Sequence, residues 1–214
     1  MLILGICGAS GSGKSTLAEH VRDALSCSCR IIGLDCYYHN FPELSYEERC
    51  KLNYDEPAIF NFEDLYLDMQ KLIRGERITT KGYDYVQYLR NDKPDLISPP
   101  DVLILEGIHM FYDKRLCELM NLKVYLQVDA DICLLRRIRR DLLSRGRTIE
   151  SVSDQYLKTV KPMYEQYIAH YISDADFAIM RGGANEKACT AIVSYLTAEL
   201  AAAKAGGIPA PSAG

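Results

Sequence analysis

A chain of 214 residues, 48% hydrophobic and 25% charged, has the size and mixture of one compact domain, which excludes a disordered or collagen-like polymer. Its net charge of −4 argues against a nucleic-acid binder of the usual basic kind. No run approaches the roughly 18 consecutive apolar residues of a membrane helix, and the opening MLILGIC has no basic lead-in like that of a signal peptide, so no membrane partner and a cytoplasmic location are expected.

In chain order, a buried apolar strand is predicted over 2–7, then a Gly/Ser loop and a helix over 15–25 with Leu17, Val21 and Leu25 on one side. A second strand over 30–34 ends at Asp35. A polar, tyrosine-rich stretch with Pro42 and Pro57 follows without clear periodicity. Asn61 reads as the N-cap of a helix with Glu63 and Asp64 in its first turn, stopped by Gly75. Residues 77–90 carry three tyrosines and a Lys81-Gly82 turn, which predicts a hairpin extending from the main sheet.

Strands over 101–106, 122–128 and 177–180 then alternate with helices. A short helix is expected over 113–120, and an Arg-rich one is capped by Asp129, Ala130 and Asp131 and ends near Gly146. A long helix over 150–172 is interrupted at Pro162, and a last helix, capped by Asn185, runs to about 203. The small-residue tail over 204–214 is expected to be disordered. The alternation predicts one α/β domain over 1–203, a parallel sheet with helices on both faces. Ligands of such sheets bind beyond the carboxyl ends of the strands.

Eight cysteines form no C-x-x-C pair and the four histidines are scattered, so free thiols and no structural metal are expected. The charge is uneven. Six Arg and one Asp lie between Arg136 and Arg147, a local balance of +5, so the other 202 residues sum to −9. Such a patch on an acidic chain suits a small polyanion better than DNA.

Gly8-Ala9-Ser10-Gly11-Ser12-Gly13-Lys14-Ser15, followed by Thr16, matches G-x-x-x-x-G-K-[ST] directly between a buried strand and an amphipathic helix. The glycines let backbone N–H groups converge on phosphate oxygens, and the helix N-terminus adds positive potential. Lys14 can reach the β- and γ-phosphates, and the Ser15 hydroxyl can ligate Mg²⁺. This motif serves kinases, switches and motors alike, and no N-K-x-D guanine motif accompanies it.

The other strand ends narrow the choice. Asp35, beside the phosphate loop, reads equally as a helix-cap residue or as the base that accepts a hydroxyl proton. Glu106 closes the strand VLILE where a magnesium-side carboxylate would stand. Arg136 and Arg140, spaced i, i+4, and Arg137 and Arg140, spaced i, i+3, repel one another unless something anionic offsets them. Arg145-Gly146-Arg147 sets two more guanidiniums on a turn, as a lid over about 136–150 would.

Together these features resemble the uridine/cytidine kinase family of phosphate-loop nucleoside kinases. The match is carried by GASGSGKST at 8–16, LDCYY at 34–38, NYDEPAIF at 53–60, GYDYVQYLR at 82–90 and ILEGIHMFY at 104–112. VDADICLLRRIRRDLLSRGR at 128–147, QYLKTVKPMYEQY at 155–167 and RGGAN at 181–185 extend it over nearly the whole chain. The resemblance implies a phosphate-loop kinase fold, ATP or GTP as phosphate donor with Mg²⁺, a pyrimidine ribonucleoside as acceptor in pyrimidine salvage, and a homotetramer.

By resemblance, Asp35 is the catalytic aspartate that takes the 5′-hydroxyl proton. Asp55 would grip the ribose 2′- and 3′-hydroxyls with Arg137 as its partner. Tyr83 would contact the pyrimidine, and Arg147 and Gln155 its edge. Lys14 with the lid arginines Arg140 and Arg145 would face the transferred phosphate, and Ser15 and Glu106 the magnesium. One departure matters: where many members have a base-reading His, this chain has Tyr88, which implies an altered uridine-to-cytidine balance leaning to cytidine. The rivals are a related kinase acting on phosphoribulose or pantothenate, and a nucleotide-dependent switch. The tyrosine-rich hairpin counts against the first, and the two aspartates against the second.

Overall fold

A computed structural model of the chain describes residues 1–205. In chain order, β1 (Leu2–Gly8), α1 (Lys14–Ala24) and β2 (Cys29–Gly33) are followed by a short helix α2 (Tyr46–Arg49), α3 (Phe62–Ile73) and two strands, β3 (Ile78–Asp84) and β4 (Leu89–Ile97). Then come β5 (Val102–Gly107), α4 (Lys114–Leu119), β6 (Leu122–Gln127), α5 (Ala130–Ser144), α6 (Ile149–Gln155), α7 (Lys161–Gln166), β7 (Phe177–Met180) and α8 (Glu186–Ala205). Five strands form a parallel sheet in the order β2-β5-β1-β6-β7, and β3 and β4 pair antiparallel as a separate two-stranded sheet.

All seven residues of β1 are buried, as a central parallel strand covered on both faces requires. Its alternate side chains divide the core in two. Leu2, Leu4 and Ile6 pack with Leu17, Val21, Ile104, Ile192 and Leu196 beneath α1 and α8. Ile3 and Cys7 pack with Leu103, Leu105, Phe111 and Ile168 on the opposite face. Each fully buried aliphatic side chain contributes roughly 1.5–3 kcal/mol, so the sheet centre is a rigid base for the loops at its carboxyl edge. No helix among the described residues is long and apolar enough to cross a membrane.

The predicted hairpin is longer than 77–90 and does not extend the main sheet. Lys81-Gly82 is not its turn; the register shifts there, inside β3. A Cβ on Gly82 would lie 2.4 Å from the Asn91 side chain, so this glycine permits close approach of the two strands. The chain reverses at 85–88, where the Asp84 carboxylate accepts from the backbone N–H groups of Val86 at 2.8 Å and Gln87 at 3.0 Å.

The predicted long helix is interrupted earlier than Pro162. A wide π turn over Tyr156–Val160 separates α6 from α7, and Pro162 sits in the first turn of α7. Proline clashes with the carbonyl four residues before it, and the widened turn removes that conflict. Asp129 occupies the N-cap position of α5 but its side chain makes no capping bond; Asp131 bonds the N–H of Ile132 at 2.8 Å instead. Asn61 and Asn185 do cap, accepting from Asp64 at 3.0 Å and Ala188 at 3.2 Å. The last helix reaches Ala205, so 204 and 205, expected in the tail, are helical; the rest of that expectation, 206–214, lies outside the described residues.

Candidate active site

The sheet register brings the candidate side chains together. Glu106 near the end of β5 is paired with Ile6 of β1 and with Gly33 of β2. The phosphate loop leaves β1 two residues after Ile6, and Asp35 follows Gly33 by two in the 3₁₀ turn Leu34–Tyr37. Three segments remote in sequence therefore deliver their polar ends to one edge.

The phosphate loop turns through Gly13 at φ +97°, the left-handed region that glycine adopts without strain. The segment 181–185 closes against it; a Cβ on Gly183 would stand 2.0 Å from the Gly13 carbonyl oxygen. Lys14 Nζ donates to the Ala9 carbonyl at 2.9 Å, arching over the loop. Burial lowers the Lys14 pKa, with Glu106 opposing, and burial raises that of Glu106, with Lys14 opposing. Ser15 Oγ donates to Glu106 Oε1 at 2.9 Å.

A cavity of about 210 Å³ opens beside this edge. One side is cationic, with Lys14, Arg137, Arg140, Arg145 and Arg147; another is aromatic, with Tyr38, Tyr54, Tyr83, Tyr85 and Tyr88. Ser10, Ser15, Asp35, Asp55, Glu106 and Gln155 complete the polar lining. Of the residues singled out in the sequence, Gly8, Ala9, Gly11, Ser12, Gly13 and Thr16 do not line it. The first five shape the loop from behind, and Thr16 is exposed on α1.

Asp55 and Arg137 are both buried and form an ion pair at 3.6 Å. Asp55 Oδ2 also accepts from Thr159 at 3.0 Å. Arg137 donates to Ser10 Oγ and to Gln155 Oε1, each at 2.9 Å, and Arg147 shares that Gln155 oxygen. Tyr54 stacks on Tyr88 at 5.0 Å between ring centroids, and Tyr38 on Phe60 at 4.4 Å. The packed tyrosines form a wall whose faces and edges suit contact with a planar ring.

Three groups escaped the sequence analysis. Tyr85 donates its phenol proton to Asp35 Oδ2, and the Arg145 guanidinium lies 3.7 Å over its ring. Asp141, with no solvent exposure, faces Arg137, Arg140 and Arg145. His109 is fully buried behind the cavity. Tyr85 lay inside a quoted block as one of three hairpin tyrosines. Asp141 had a local signal, its i, i+4 spacing from Arg137 and to Arg145, whereas nothing near His109 in the chain distinguished it.

Burial lowers the His109 pKa from 6.5 to about 4. The unfolded chain takes a proton there near pH 6.5 and the folded chain refuses it until about 4. This group's contribution to stability, about 3 kcal/mol, is complete above pH 6.5 and is lost as pH falls to 4. Urea unfolding of wild type and His109→Leu between pH 4 and 7.5 checks this: the difference in stability between them should grow with pH by that amount and level off above 6.5.

Ser15 and Glu106 fit Mg²⁺, which takes one or two carboxylates and leaves its other positions to phosphate and water. Among the described residues no three His, Cys, Asp or Glu side chains cluster as an all-protein cage. An ion held here would therefore arrive with the nucleotide's phosphates.

The model of the family described as phosphoribulokinase / uridine kinase matches residues 3–188. The chain belongs to the phosphoribulokinase/uridine kinase family. It is a kinase. The chain is 43% identical over 188 residues to the uridine kinase of Listeria innocua, covering 87% of this chain and 90% of that one. It is 41% identical over 188 residues to the uridine kinase of Limosilactobacillus reuteri, covering 87% and 86%. Phosphoribulokinase from Rhodobacter sphaeroides superposes with a TM-score of 0.62 at 18% identity, over 84% of this kinase and 69% of that chain, a likeness of fold. The expected α/β phosphate-loop kinase fold is thus established.

Proposed function

We propose that this kinase transfers the γ-phosphate of ATP or GTP to the 5′-hydroxyl of uridine and cytidine. The carrying observation is one cavity that joins a phosphate loop, two aspartates and a tyrosine wall. The high identity to uridine kinases over most of the chain supports the same acceptor. A phosphoribulose or pantothenate acceptor would leave the aromatic wall without a flat partner. A switch would need neither aspartate.

On this reading the base slides among Tyr54, Tyr83 and Tyr88, with Arg147 and Gln155 at its edge. The ribose diol lies against Asp55 and Arg137, a buried pair that is costly to leave unmatched by a deoxyribose. Asp35 orients the 5′-hydroxyl and takes its proton. The transition state of phosphoryl transfer is loose, so positioning and charge outweigh base strength, and Lys14, Arg140 and Arg145 gather round the moving phosphoryl group. Ser15 and Glu106 would hold Mg²⁺ together with the nucleotide, and the ion would supply charge neutralisation at the phosphates. Closure of the hairpin and the Arg145–Arg147 turn excludes water, the competing acceptor. A cytoplasmic homotetramer serving pyrimidine salvage belongs to the same proposal and rests on the family resemblance.

A coupled assay with Mg-ATP against a panel of nucleosides tests it; ATP consumption that ignores added nucleoside would overturn it. The lean to cytidine rests on Tyr88, which has φ +54° in the hairpin turn. Histidine tolerates that left-handed backbone well, so Tyr88→His changes the ring without straining the turn. It should raise kcat/KM for uridine relative to cytidine, and an unchanged ratio would remove the lean.

A further inference from the structure

His109 lies two residues beyond β5, outside the cavity lining. Phe60, Tyr112, Tyr167 and Tyr171 surround it edge-on, with ring centroids 5.8–6.3 Å away. This apolar cage disfavours a charged imidazolium, so the ring is neutral at pH 7. Its nitrogens have different partners. Nε2 lies 2.7 Å from the carbonyl oxygen of Asp55, and Nδ1 lies 2.9 Å from the Tyr171 hydroxyl. A carbonyl can only accept, so the proton resides on Nε2, and Nδ1 accepts from Tyr171. The partners dictate the tautomer.

Asp55 sits in irregular chain between α2 and the 3₁₀ turn Pro57–Ile59. Its own N–H donates to Asn53 Oδ1 at 3.0 Å, a bond within the same loop that cannot tie the loop to the sheet. His109 makes such a tie, from the carboxyl end of β5 to the Asp55 backbone. Tyr38 reinforces it by donating to the preceding carbonyl, that of Tyr54, at 3.2 Å.

We propose that His109 is a positioning residue for sugar recognition: the Tyr171–His109–Asp55 chain sets where the Asp55 carboxylate stands, and so how strongly the kinase prefers ribose to 2′-deoxyribose. This rests on the reading of Asp55 as the group that grips the sugar diol. Small displacements of a binding group cost large factors in rate, and such outer partners commonly tune the group they hold.

The experiment compares kcat/KM for cytidine and 2′-deoxycytidine in wild type, His109→Leu, His109→Gln and Tyr171→Phe, with melting curves for each. Leucine cannot donate to the Asp55 carbonyl; the ribose preference should fall about tenfold, mainly through KM for cytidine, with KM for ATP nearly unchanged. Glutamine carries an N–H to the same place and should restore the preference to within about threefold. A folded His109→Leu enzyme with an unaltered ribose preference, or with equal losses on both nucleosides, overturns the proposal. Should His109→Leu fail to fold, Tyr171→Phe decides, since it keeps the Nε2 bond to the Asp55 carbonyl but removes the hydroxyl that anchors the ring at Nδ1; an unaltered preference there overturns the proposal as well. Equal kcat/KM for the two sugars in wild type would instead refute the diol reading of Asp55, and this inference with it.

Discussion

Replacement of Asp35 by asparagine is expected to lower kcat by two to four orders of magnitude, with KM for ATP held within a few fold, in a coupled assay with cytidine or uridine as acceptor. Asparagine preserves the shape of the 3₁₀ turn after β2 and can still accept Tyr85's phenol proton. It cannot take a proton from the acceptor, and its amide nitrogen would present hydrogens where the carboxylate presents lone pairs. The incoming hydroxyl is then both unactivated and misdirected, and misdirection alone is costly in a reaction governed by positioning. Melting temperature should change little. A kcat within tenfold of wild type would remove Asp35 from the reaction.

Asp141→Asn is the second large effect, and it falls on stability first. The carboxylate has no exposed surface; Oδ1 lies 2.8 Å from Arg140 Nε and 3.4 Å from Arg145 Nη1, and Oδ2 lies 3.6 Å from Arg137 Nε. Its backbone carbonyl also receives the N–H groups of Arg145 at 3.2 Å and Arg147 at 3.3 Å, which folds the turn back over the end of α5. The amide keeps the volume and removes the charge, leaving buried Arg137 with a poorer counter-ion and two neighbouring cations unopposed. Breaking a buried pair on one side costs about 3–5 kcal/mol, which for a chain of this size is a fall in Tm of about 10 °C. Millimolar ATP should recover part of the loss, because its phosphates bring negative charge to the same arginines. Thermal melts with and without ATP check both statements; a variant melting within 2 °C of wild type would contradict the hub role of Asp141.

The layout of the main sheet was legible because its signals are local. Continuous apolar strands, glycine breaks and the phosphate loop directly behind β1 each need only a short window. β4 was cut short because Asn91, Lys93, Pro94 and Asp95 show no strand alternation; pairing with β3 makes them a strand. Asp141 entered the charge arithmetic as one acid among six arginines, and the anion expected to offset those arginines was a polyanion from outside the chain. Its partners Arg137 and Arg145 stand at i−4 and i+4, a helical spacing that would have paired them with it. His109 looked like one scattered histidine of four, since its partners lie 54 and 62 residues away. Asp35 was singled out by its place at a strand end and given its role by resemblance, which also supplied Asp55 and its pairing with Arg137; the register that places Asp35 near Glu106 supplies a physical reason for the first, and the buried ion pair for the other two.

The phenol of Tyr85 on Asp35 has an energetic consequence for the acceptor. On the proposed reading, an arriving 5′-hydroxyl that displaces the Tyr85 phenol from Oδ2 leaves the number of hydrogen bonds to that carboxylate almost unchanged. The reacting group then contributes little to affinity, which comes from the diol and the base. A nucleoside stripped of its 5′-oxygen would leave the tyrosine in place and bind almost as well as the substrate, which makes the inert sugar, more than the reactive one, the natural starting point for a competitive inhibitor.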